Sequence, residues 1–166
     1  MKKIIAFVLL FNLACGVAVS QESSLKLIEN GKYAKAAKKI TADLEKNPSD
    51  VILNYSMAIL LIHREYKGYD AKQSFDYMVK TQSGFSKVND KKDAKELEKL
   101  EITKASLAKD LDRICSEGLA DATAINTITA YENYLADFYA APAYLKDEAK
   151  AKRDIIAFSD ASRINT

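Results

Sequence analysis

Turn-forming residues are scarce in this chain, and that scarcity limits its fold more than any motif does. Its 166 residues include five glycines and two prolines. A sandwich or barrel of short strands needs a turn about every 8–12 residues, so long helices with few connections are what remain. The 48% apolar and 29% charged content is that of a globular chain rather than a disordered one, and the length suits one domain. The expectation is an all-α fold.

Residues 1–20 read as a secretory signal. Lys2 and Lys3 open it, an apolar run follows from Ile4 to Ala14, and small residues close it. The run is about half of the ~20 residues a membrane-spanning helix needs. Two processing routes are open. Cleavage after Ala18-Val19-Ser20 leaves Gln21 as the first residue, whereas acylation of Cys15, between Ala14 and Gly16, resembles a bacterial lipoprotein. The lipoprotein pattern asks for Leu, Val or Ile three residues before the cysteine, and Asn12 stands there. Either route takes the chain across the inner membrane, to the periplasm or the outer membrane. The 25 basic residues fall to 23 once Lys2 and Lys3 are set aside, against 23 acidic ones. A mature net charge of zero gives no footprint for nucleic acid, and none for a membrane beyond a lipid anchor at Cys15. Cys115 is then the sole remaining cysteine, without a disulfide partner, at an apolar helical position where burial is expected.

From Ser24 onward the apolar residues recur three and four apart. Leu25, Leu27 and Ile28 predict a short helix stopped by Asn30-Gly31, and Tyr33, Ala36, Ala37, Ile40 and Leu44 predict a second, stopped by Asn47-Pro48. Ser49 or Asp50 can cap a third, over about Val51–Arg64, that is apolar nearly all round and therefore central. Ala71, Phe75, Met78 and Val79 mark a fourth. The polar run 83–93, with Gly84, predicts a loop or hinge. Beyond it, Leu97, Leu100, Leu107, Leu111 and Ile114 predict one helix of about six turns, its stripe interrupted at Lys104.

Gly31-Lys32-Tyr33, Ala36, Ile40, Leu44 and Pro48 resemble the second half of a tetratricopeptide repeat, and Val51 and Ala58 stand where the next unit would begin and place its small residue. The resemblance covers about residues 24–82. It departs at Ser23-Ser24, where Leu-Gly is usual, at Asp43, where alanine is usual, and in a longer turn at Tyr66–Tyr69. It implies antiparallel helix pairs stacked as a short α-solenoid over 21–82. It also implies a concave, protein-binding groove carrying Ile52, Tyr55, Ile59, Ile62 and His63. The Lys/Asn set with which some members clamp a peptide carboxylate is missing.

Residues 94–166 contain an internal repeat. Asp121–Thr127 (DATAINT) and Asp160–Thr166 (DASRINT) share five of seven residues at an offset of 39. A period near forty is that of stacked helical pairs. In the first copy Thr127 can cap a helix bearing Ile128, Tyr131, Leu135 and Phe138, and Pro142 can open its partner. The second copy reads as truncated at Thr166, leaving Ile155, Ile156, Phe158 and Ile164 without a cover and self-association through the last helix as the expected result.

No catalytic residue is assigned. His63 is the single histidine, with no GxSxG, HExxH or CxxC motif and no phosphate-binding glycine loop beside it. One His and one Cys do not make a metal site, so neither metal nor cofactor is expected. The mixed-sign run Asp93–Glu101 reads as a solvated helix face, and the nine tyrosines, Tyr33, Tyr77, Tyr131 and Tyr134 among them, read as packing between helices. The sequence therefore points to a non-catalytic scaffold that binds a protein or peptide segment. The alternative is an accessory region of a larger outer-membrane- or peptidoglycan-associated protein. The better small-residue site lies at Ala18/Ser20, so mass spectrometry of the exported protein is expected to find Gln21 as its N-terminus, and an acylated Cys15 terminus would reverse that order.

Overall fold

Six short polar side chains set where helices begin. The computed structural model describes residues 23–164, all helix and connection among those residues, with no strand. The leader, with Cys15 and both processing sites, lies outside them, as do Asn165 and Thr166. Helix α1 (Ser24–Glu29) starts at Ser23, whose hydroxyl accepts from the Lys26 N–H at 3.3 Å. Helix α2 is Tyr33–Lys46. Asp50 opens α3 (Val51–Leu61), Asp70 opens α4 (Ala71–Phe85), and Asp90 opens α5 (Lys91–Lys99), each accepting first-turn N–H groups at 2.7–3.2 Å. Thr103 opens α6 (Lys104–Ile125) and Thr127 opens α7 (Ile128–Asp137); Pro142 precedes α8 (Ala143–Ile164). Such caps satisfy N–H groups that have no partner inside the helix.

The single helix expected across Leu97–Ile114 is two. Helix α5 ends in a left-handed residue, Glu101 (φ 55), whose N–H bonds to the Glu98 carbonyl while the Ile102 N–H bonds to that of Leu97. Leu97 and Ile102 are both buried across this turn, the apolar contact that accompanies such an ending. Two residues after Glu101, Thr103 and Ser106 cap each other reciprocally and restart the helix. Glu101 hides the stop from the sequence, because the position usually belongs to glycine; α1 ends the same way at Gly31 (φ 68). The polar run 83–93 also holds more helix than expected, and its coil shrinks to 86–90. Gly84 sits inside α4 because a Cβ there would stand 2.8 Å from Val51 Cγ2, so it lets the start of α3 approach. Helix α3 in turn stops at Leu61, short of Arg64, where the Leu61 carbonyl accepts from the Asp70 N–H at 2.9 Å.

Two apolar clusters meet at α3. Met57, Leu60 and Leu61 pack with Leu27 and Ile28 of α1 and Ala36 and Ile40 of α2. Ala58 and Ile62 belong to the other cluster, with Phe75 and Met78 of α4, Ile114, Cys115 and Leu119 of α6, Tyr131 and Tyr134 of α7, and Leu145 and Ala149 of α8. Serine hydroxyls inside this apolar helix pair are satisfied, Ser56 donating to the Ile52 carbonyl of its own helix and Ser74 of α4 donating across to the Ala58 carbonyl of α3, both at 2.7 Å. Gly118 of α6 faces the Phe138 ring, which a Cβ would meet at 2.3 Å, so α6 and the end of α7 are in close contact. Phe138 stacks on Tyr134 at 4.9 Å and tilts against Phe75 at 5.1 Å. Helices α6 and α8 are each 22 residues long and begin 39 residues apart, at Lys104 and Ala143.

Replacing Glu101 by glycine removes the left-handed strain at some cost in unfolded-chain entropy. Glu101→Gly is expected to stabilise the fold by about 0.5–1 kcal/mol, a rise of a few degrees in Tm by calorimetry; a fall would mean that the glutamate side chain supports the turn.

A cleft beside the third helix

The five residues expected to share a groove on α3 are divided among different environments. Ile52 lies on the first turn, half-buried, and lines two adjoining clefts, of about 470 and 590 Å³. Tyr55, one turn on, is tied to α6: its hydroxyl donates to Asp110 Oδ2 at 2.8 Å, and burial together with that carboxylate pushes its ionisation well above the usual tyrosine range. Ile59 packs between the two apolar clusters. Ile62 is buried in the larger one and offers no surface. His63 lies past the end of α3, with its ring 5.2 Å from that of Tyr33 and its Nδ1 3.5 Å from the Tyr33 hydroxyl.

Of that set, Ile52 is the residue that lines these two clefts. Leu53 joins it on the wall of both clefts, and Glu96 of α5 faces them from across the gap. The first cleft carries Asp43, Asp50 and Asp93 around Val51, Val88 and Leu97. In the second, Leu25 and Leu100 form the apolar floor with Ile52, and Lys39, Lys95 and Lys99 stand around it. Helix α5 forms the outer wall, with Leu97 as its one buried side chain. On the other side of Val51 a third, shallower cleft of about 830 Å³ runs along α4 past Val79 and Lys87. Asn54 lies beside it, its Nδ2 donating to the carbonyls of Pro48 (3.0 Å) and Asp50 (2.6 Å) while its buried Oδ1 has no partner. Both donations fix which way the amide points.

The acidic residues of α6 are the feature that sequence reasoning missed. Besides Asp110, Asp112 accepts from the Tyr144 hydroxyl at 2.7 Å and Asp121 from that of Tyr69 at 2.8 Å. Arg64 reaches both Glu117 and Asp121, at 2.6 and 3.0 Å, with its guanidinium 4.9 Å above the Tyr69 ring. An unusual count of tyrosines with no tryptophan was the available signal, and it pointed to ring packing rather than to hydroxyl–carboxylate pairs.

Cys115 is fully buried, and burial raises its thiol to about 12, with Asp112 adding to the shift. A thiol so placed is not a nucleophile at neutral pH. Among the described residues no three His, Cys, Asp or Glu side chains are grouped to hold a metal ion, and no helix is long and apolar enough to cross a membrane. Compared with known proteins, the chain matches no family model, no curated protein and no solved structure. The class defined so far is therefore architectural: an all-helical protein with an apolar-walled, charge-rimmed cleft beside its central helix.

His63 titrates below the ordinary histidine value, first because burial disfavours its charged form and then because Arg113 repels it, while Glu65 opposes weakly. The unfolded chain thus takes up the proton before the folded one as pH falls through about 6.5. Stability is complete above that pH and declines below it until the folded midpoint is reached. As the single histidine, His63 gives one resolved NMR titration, expected with a midpoint under 6.5 that rises in Arg113→Gln; a midpoint at or above 6.5 in the parent would contradict the burial.

Proposed function

We propose that this protein is a non-catalytic helical scaffold of the bacterial envelope, built in the manner of stacked helix pairs, that holds a segment of another protein in the α3–α5 cleft. The observation that carries this reading is the cleft itself. It combines an apolar floor at Leu25, Ile52 and Leu53 with a rim of both charge signs, the make-up of a site that takes a side chain or a helical turn and orients it by its charges. The leader at residues 1–20 supports the compartment, and the pair of 22-residue helices at an offset of 39 supports the repeat architecture. No step of bond chemistry belongs to the proposal. A second reading, an accessory region of a larger outer-membrane- or peptidoglycan-associated protein, is favoured by the exposure of Ile155 and Phe158 on α8.

A photo-crosslinking residue placed at Lys99, on the cleft rim, and another at Lys35, on the outer face of α2, separate this site from the general surface. In intact cells the Lys99 position is expected to give a discrete adduct with one protein, lost in Ile52→Asp, while Lys35 gives none. Adducts of equal yield at both positions, or none at Lys99, would remove the cleft as the binding site.

A further inference from the structure

The two clefts that adjoin at Ile52 and Leu53 carry opposite charge. The first is bordered by Asp43, Asp50, Asp93 and Glu96 and by no basic side chain, and the second by Lys39, Lys95 and Lys99 with Glu96 as its single acid. Part of this charge is already engaged. Asp50 caps α3 by accepting from the Leu53 N–H at 2.9 Å, and Lys39 pairs with Asp43 at 3.1 Å. The four that remain, Asp93, Lys95, Glu96 and Lys99, all stand on α5, and among the described residues none of their side chains has an ion-pair partner. Their spacing works against the helix that carries them. Lys95 and Lys99 are four residues apart and Asp93 and Glu96 three apart, so like charges are neighbours on each side of the cleft. A nine-residue helix has little stability of its own to set against that repulsion.

We infer that the segment held in the α3–α5 cleft is one of mixed sign from a partner protein, with a Lys or Arg on one side of an aliphatic residue and an Asp or Glu on the other. The aliphatic side chain lies on Ile52 and Leu53, the base faces Asp93 and Glu96, and the acid faces Lys95 and Lys99. Such a segment relieves the like-charge repulsion on both sides at once. It also adds apolar cover to a helix that has Leu97 as its one buried side chain. A uniformly basic or uniformly acidic segment fits one half and is repelled by the other. The leader is such a misfit, because residues 1–20 carry Lys2 and Lys3 and no acid. The inference rests on the cleft being the binding site and adds to that reading the charges its occupant must bring.

The probes are capped, fluorescein-labelled peptides in which a leucine is flanked by one lysine and one glutamate, in both orders and at several spacings, with counterparts flanked by two lysines or two glutamates. Titrated into the exported protein and followed by fluorescence anisotropy, the best mixed peptide is expected to bind at least tenfold tighter than either uniform counterpart. The double variant Lys95→Glu/Lys99→Glu, at two exposed positions, should reverse that order in favour of the two-lysine peptide, a gain that unfolding cannot produce. Ile52→Asp should abolish binding of every probe. Equal binding of mixed and uniform peptides, or an unchanged order in the double variant, would overturn the inference and leave the cleft as the site. Binding that survives Ile52→Asp would remove the cleft itself. Tightest binding of the two-lysine peptide to the parent would make the leader the occupant, and a dimer in sedimentation that the double variant dissociates would make it a second copy; either result overturns the inference. So would the absence of saturable binding by all probes, with the Lys99 crosslink still deciding the cleft.

Discussion

Everything in this fold hangs on α3 being apolar on two sides at once. A helix with one apolar stripe buries it against one neighbour and leaves the rest to water. Here Met57, Leu60 and Leu61 cover the α1–α2 pair while Ala58 and Ile62 close the larger cluster formed with α4, α6, α7 and α8. Full burial of a leucine contributes about 1.5–3 kcal/mol, but the greater consequence is continuity. Without α3, Leu27, Ile28 and Ile40 would have a single layer of helix over them. Alanines at the crossings, Ala36 and Ala58, are wholly buried and let the helix backbones come close.

A second set of contacts fixes register rather than supplying energy. Carboxylates along α6 receive Tyr55 from α3, Arg64 and Tyr69 from the α3–α4 connection, and Tyr144 from α8. Each phenol is driven above its usual ionisation range, Tyr55 and Tyr69 chiefly by burial and Tyr144 chiefly by its bond to Asp112. All three remain donors at neutral pH. The Arg64 pairs are half-exposed, and such pairs contribute roughly 0–1 kcal/mol. What they do is directional: the donors arrive at Asp110, Asp112, Glu117 and Asp121, spread along about three turns, and a slide of α6 by one turn would break all of them.

Much of the fold was legible because the signals were local. Gly31, Pro48, Thr127 and Pro142 each mark a boundary that the helices respect, and the central position of α3 follows from its composition alone. The break at Leu100–Thr103 was not legible, because its stop is a left-handed glutamate and its restart a Thr–Ser cap, and the interruption of the apolar stripe at Lys104 did not by itself mark a helix end. The site was read less well than the fold. Periodicity places Ile52, Tyr55, Ile59 and Ile62 on related faces of one helix, yet which of them meets solvent is decided by α6 and α5, elements distant in sequence. Tyr55 is taken by Asp110 and Ile62 by the core, and Leu53, which the pattern did not single out, lines both clefts.

The cleft beside α3 is concave, and its outer wall, α5, is nine residues long. A helix that short does not persist by its own propensity, so α5 depends on Leu97 and on Ile102 just beyond its end. Segments held by so few buried contacts open at a small fraction of the global unfolding free energy. The α5 wall is therefore the part of the cleft with the least packing to hold it in place. Helix α8, by contrast, is held by Leu145 and Ala149 near its start, while residues 157–162 at its far end are exposed on every side, so its last turns lack the packing that fixes its first.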